Sequence, residues 1–180
     1  MKNFILLFVL LSLAACADSK KSVPPEDAPP PPPEIKTENL ICPQVAILKE
    51  ADEVMDYGGE QPDPAQLVAK ARMKNIEGDC AYRKGDKKAG IDIAFTLQTV
   101  SARGPRLGGS QVSFPYFIAI VDPAENILSR QLMTVQFKFY GNNKVTESSE
   151  PLHVFIPMPE TALTAGPDYR VLIGFMMPKG

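Results

Sequence analysis

Hydrophobic and polar residues alternate with a period of two in several short stretches of this chain. In IDIAFTLQTV (residues 91–100), Ile91, Ile93, Phe95 and Leu97 fall on one face, and Asp92, Thr96 and Gln98 on the other. Successive strand side chains point to opposite faces of a sheet, so the pattern predicts a half-buried β-strand. TVQFKFY (residues 134–140) repeats it, with Val135, Phe137 and Phe139 inward and Gln136 and Lys138 outward. SFPYFIAIVDP is continuously apolar over residues 116–121, as expected of a central strand covered on both faces. Pro115 has no backbone N–H, which confines the start of that strand to an edge or a bulge. VAIL after Cys42, LHVFIP and YRVLIGFM read as further strands.

Turn residues punctuate these stretches. The run Asp122, Pro123, Ala124, Glu125, Asn126 turns the chain before Ile127, as do Gly141, Asn142 and Asn143 further on. KGDKK (residues 84–88) reads as a charged hairpin tip. EADEV (residues 50–54) reads as a solvated turn or a single helical turn. Residues 64–76 admit two readings. Asp63 before Pro64 starts a helix well, yet Leu67, Ala69, Ala71 and Met73 alternate with Val68, Lys70 and Arg72, which favours a strand. About seven short strands with regular turns predict an all-β fold, a single antiparallel β-sandwich over residues 41–180. Those 140 residues suffice for one domain with its own core.

The first 40 residues follow other rules. Residues 4–13 are apolar except for Ser12, with Lys2 ahead and Ala14 and Ala15 behind. This is the layout of a secretory signal, and the run is far short of the roughly 20 residues of a membrane-spanning helix. Residues 16–40 contain seven prolines between Lys21 and Lys36 and no apolar periodicity. They read as an extended, flexible linker of polyproline type.

Leu13, Ala14, Ala15 and Cys16 resemble the lipobox of bacterial lipoproteins. The resemblance implies a signal peptide over residues 1–15, cleavage after Ala15, and lipidation of Cys16 with acyl chains such as palmitate. Each buried methylene contributes about 0.8 kcal/mol, so several chains on one residue anchor a protein to a membrane. After lipoproteins generally, Ala17 directly behind the cysteine points to the outer membrane rather than the inner, although Asp18 weakens that reading. Removal of Lys2 with the signal leaves 18 of the 19 basic side chains against 21 acidic ones, a net charge of −3. Such mild acidity excludes strong attraction to nucleic acid.

Cys42 and Cys80 are then the remaining thiols. In an exported chain an even pair is most simply a disulfide, closing a 39-residue loop for about 4 kcal/mol. A metal site is the competing reading, but two thiols and a single histidine make a poor ligand set, so none is expected.

Leu163, Thr164, Ala165, Gly166, Pro167, Asp168 and Tyr169 resemble the tyrosine corner of fibronectin type III and immunoglobulin-like domains. The resemblance gives Tyr169 a hydroxyl bonded to backbone upstream, with Leu163 as the apolar plug. In those domains another strand follows, whereas here the sequence given ends at Gly180, and tryptophan is absent. Across CPQVAIL, GDCAY, ARGP, YFIAIVD and YRVLIGF, the domain also resembles uncharacterised lipoproteins of Gram-negative bacteria. That likeness implies a location and a fold but carries no chemistry.

No stretch announces a reaction. His153 lacks a nucleophile motif around it, and Arg103, Gly104, Pro105 and Arg106 lack the lysine and the strand-to-helix setting of a phosphate loop. Arg103 and Arg106 flank a Gly-Pro turn and form a candidate binding loop for a carboxylate, or else a solvated turn. Glu147 and Glu150 in TESSEP read as a solvated loop rather than an acid–base pair. Met176 and Met177 read as packing rather than as copper ligands.

The expectation is a lipid-anchored, non-enzymatic module facing the periplasm, without a cofactor. Its expected partners are the membrane and another envelope protein or cell-wall component. The alternative is a periplasmic small-ligand carrier or hydrolase with a pocket between the sheets.

Overall fold

The computed structural model describes residues 40–59, 62–85 and 89–176. The expected signal peptide, Cys16, residues 16–39 of the expected linker, residues 86–88 of the charged tip and Met177 lie outside the described residues. The described strands belong to the compact unit Lys36–Gly180.

Eight strands form two four-stranded sheets. They are β1 (Gln44–Ile47), β2 (Glu53–Asp56), β3 (Ala69–Arg83), β4 (Gly90–Arg103), β5 (Gln111–Val121), β6 (Ile127–Lys138), β7 (Val145–Pro157) and β8 (Arg170–Phe175). One sheet has the order β1-β8-β5-β6, the other β2-β3-β4-β7. Every pairing is antiparallel except β1 with β8, which run parallel. The expected all-β sandwich is present in this coarse sense.

Where the alternation is clean, the strands follow it. Ile91, Ile93, Phe95 and Leu97 of β4 are buried, as are Val135 and Phe137 of β6 and Phe139 just beyond it. The ambiguous segment begins with a 3-10 turn, Pro64–Gln66, capped by the Asp63 carboxylate accepting from Ala65 N (2.9 Å), and then becomes β3. Ala69, Ala71 and Met73 face the core there, while Lys70 and Arg72 face solvent. β5 lies between β6 and β8, and its apolar run is buried on both faces. Phe114, Phe137 and Phe175 meet edge-to-face at 6.1 Å between ring centroids, joining β5, β6 and β8.

Two segments depart from expectation. EADEV forms a 3-10 turn, Lys49–Ala51, and then β2, a strand beyond the seven expected. Its Val54 is buried in the core, which draws Glu53 and Asp56 on either side of Val54 and Met55 into pairing with β3. TESSEP is not a loop but the first half of β7, where Glu147 pairs with Val100 and Glu150 with Leu97 of β4. Backbone pairing to a neighbouring strand overrides local polarity at this sheet edge.

Candidate functional site

The disulfide between Cys42 and Cys80 is formed, with Cα atoms 5.7 Å apart. Cys42 lies just ahead of β1 in one sheet and Cys80 lies in β3 of the other, so the bond staples the two sheets. Tyr82 reinforces it by donating its hydroxyl to Ile41 O (2.6 Å), and desolvation raises the pKa of that hydroxyl. Asp79 Oδ1 lies 3.8 Å from Cys42 Sγ. With both sulfurs spent on one another, this Cys42–Asp79–Cys80 group offers a metal a single carboxylate.

The segment resembling a tyrosine corner lies at the entry to β8. Leu163 is fully buried inside the 3-10 segment Glu160–Asp168. Tyr169 is half-buried against the core, and its N–H donates to Gly166 O (3.1 Å). The bond from a tyrosine hydroxyl to distant backbone is made here by Tyr82.

The candidate binding loop closes the end of the sandwich. Arg103 donates to Gly109 O (2.6 Å) and lies 5.9 Å from the Phe139 ring centroid, so its guanidinium is engaged within its own loop. Arg106 is exposed, and its backbone N–H donates to Leu67 O (3.0 Å). Gly104 sits so close to the neighbouring chain that a Cβ would fall 2.0 Å from Leu67 O, which makes glycine obligatory there.

Sequence reasoning missed two carboxylate sites. On the outer face of the second sheet, Asp92 of β4 is nearly buried, pairing with Arg83 of β3 and lying 2.9 Å from His153 Nε2 of β7. An outward strand position, the weak signal in the sequence, gave no hint that three strands converge on it. The group has the acid and the imidazole of a catalytic triad, but no hydroxyl or thiol is seen bonded to His153 among the described residues. It clamps β3, β4 and β7 together.

The second is Glu150, on the inward face of β7. Glu147, three residues earlier, points the opposite way and pairs with Lys74 at 3.0 Å, so the two do not form an acid–base pair. Glu150 Oε2 is sealed from solvent without a hydrogen-bond partner among the described residues. Desolvation raises the Glu150 pKa, and the hydroxyl of buried Tyr116 partly offsets the rise. Tyr116 is pushed well above the usual range, by burial first and by the charge of Glu150 second.

Among the described residues, clefts of 190, 280 and 160 Å³ lie below the roughly 300–1,000 Å³ of typical ligand pockets. The first lies at the β1–β3 seam, floored by Val45, Ile76, Ile93 and Phe95.

The edges of the sheets differ more than the clefts do. Among the described residues β6 pairs with β5 alone, and its first eight residues are exposed but for a partly covered Ser129. Ile127, Leu128, Leu132 and Met133 are all exposed there, Leu132 to 66%. Arg130 lies 4.9 Å from the Phe117 ring centroid and donates to Met176 Sδ (3.0 Å). No carboxylate lies on β6. An exposed, apolar, unpaired edge is a ready template for a further strand. Comparison with family models, curated proteins and solved structures finds no match to this chain.

Proposed function

We propose that the chain is a lipid-anchored lipoprotein of the cell envelope, facing the periplasm, whose sandwich acts as a non-enzymatic interaction module. The uncovered apolar edge of β6 carries this reading, because it offers both backbone and side chains to an incoming strand. The hydrophobic leader ending in Leu13, Ala14, Ala15 and Cys16 supports the anchor, and the proline-rich linker supplies reach. A disulfide suits an oxidising compartment. The outer membrane is the preferred location, on the strength of Ala17.

The sandwich is read as a variant of the immunoglobulin and fibronectin type III architecture. Two stacked sheets and the Leu163–Tyr169 segment opening the last described strand support this kinship. The insertion of β8 between β1 and β5, with hairpins β3–β4 and β5–β6 each confined to one sheet, makes it a variant.

The test is photo-cross-linking in intact cells from a reactive residue at Leu132, with a Ser149 position on β7 as control and Cys16→Ser as the released form. Capture of specific envelope neighbours from Leu132 of the anchored form is expected. Equal yields from both positions would remove the β6 reading, and unchanged membrane retention of Cys16→Ser would remove the anchor.

A further inference from the structure

The direction of the unpaired backbone groups on β6 follows from a proline on its neighbour. Met176 N donates to Pro115 O (2.9 Å), so Pro115 turns its carbonyl toward the β8 side. The N and C=O of one strand residue point the same way. Pro115 therefore turns both away from β6, and its register partner there, Thr134, turns its N–H and C=O away from β5. The same holds at every second position, so Arg130, Leu132, Thr134 and Gln136 aim their amides at the open edge. Lys138 O, next in this series, accepts the Thr146 hydroxyl of β7 (3.1 Å), which closes the edge at that end.

We propose that a second copy of this chain pairs antiparallel with β6 across a two-fold axis at Leu132, fusing two four-stranded sheets into one of eight strands. This rests on the reading of β6 as the docking edge. Charge selects the register. An axis at Arg130 sets that guanidinium against its own copy, and an axis at Thr134 sets Arg130 against Lys138 of the copy. Like charges directly opposite are destabilising in both. An axis at Gln131 or Met133 sets Leu132 against Arg130 or Thr134 and forfeits its apolar partner. The axis at Leu132 places Leu132 on Leu132, Arg130 opposite Thr134 and Leu128 opposite Gln136, with no like charges opposed. Phe117 is directly across from Leu132 on β5, so one row of the fused sheet carries four apolar side chains: Phe117, Leu132 and their copies.

A copy presenting β7 instead would leave new edges at both ends and grow without closing, whereas β6 on β6 closes at two subunits. β7 also brings Glu147, Glu150 and Pro151 to the junction, and these blunt strand pairing.

Sedimentation of the full chain in detergent at micromolar concentration tests the proposal. A dimer is expected for the wild type. Leu132→Glu places two carboxylates on the axis and is expected to weaken the dimer by about tenfold or more. Thr134→Glu places a carboxylate opposite Arg130 of the copy and is expected to leave the dimer as tight or tighter. A monomeric wild type, or equal weakening by both variants with circular dichroism unchanged, overturns the proposal. If the chain is monomeric while cross-links from Leu132 still reach another envelope protein, the second copy is excluded and β6 stands as a docking edge. If both fail, β6 has no docking role.

Discussion

β6 and β7 edge their sheets over 12 and 13 residues, yet they are built on opposite principles. β7 carries Glu147, Glu150, Pro151 and His153, and its side chains are engaged with β3 and β4 through Lys74 and Asp92. β6 carries two cations and leaves Ile127, Leu128, Leu132 and Met133 in solvent. β3 falls with β7. Beyond Arg72 it has lost β2, and the side chains of Asn75 and Asp79 accept from Ile76 N (2.9 Å) and Cys80 N (2.8 Å), capping groups that an incoming strand would need. Edges that are to stay single are blunted with charge, proline or local caps. The bare state of β6 therefore stands out within the same molecule, against its own neighbours.

The largest test of this contrast removes the staple that shields β3. Replacing Cys42 and Cys80 together with alanine lengthens the unconstrained loop and frees β1 from β3, at a cost of roughly 2–4 kcal/mol in urea unfolding. If β1 protects the β3 edge, this variant also aggregates faster than wild type on partial unfolding. Unchanged stability would show the bond to be incidental.

A middle-sized effect is expected from Asp92→Ala, which leaves Arg83 and His153 without their shared carboxylate. A loss of about 1–2 kcal/mol is expected, because Arg83 is half exposed and the ion pair is partly screened. Hydrogen exchange should loosen β7 before β6, and loosening in the reverse order would break the claim that Asp92 fastens β7.

Glu150→Gln should give the smallest effect. The folded-state pKa of Glu150 lies above its unfolded value, so the native state holds its proton over a window where the unfolded state has released it. Stability therefore falls as pH rises from the ordinary carboxylate range through the raised pKa, and the penalty persists above it. The glutamine variant should be more stable than wild type at neutral pH, by less than about 1 kcal/mol, and lose that advantage in acid. A difference that does not change with pH would assign the effect to packing instead.

Much of the sandwich was legible where one face of a strand meets solvent. Ile91 to Leu97 announced β4 because alternation and burial coincide there, and β5 was legible from its continuous apolar run. β2 was not, because a four-residue strand after a 3-10 turn leaves too short a pattern, and only Val54 enters the core. The first half of β7 reads as a loop because Thr146, Ser148 and Glu150 put polar groups on its inner face too. Its strand state comes from β4, a partner some 50 residues away along the chain. The candidate edge was hidden for the opposite reason. Leu132 and Met133 look like core residues, and only the strand order shows that β6 is the last described strand of its sheet. Asp92 and His153 meet through the β4–β7 register, which no local pattern encodes.

The staple at Cys42 also determines how the domain bears load. A pull along the chain through Leu40 reaches the disulfide before it reaches β1, and passes covalently into β3, which is laddered to β4 along its whole length. β1, held to β8 by only four residue pairs, is shielded from being peeled away. A load entering from the N-terminal side of the domain is thus carried by the long hairpin rather than by a strand of four residues.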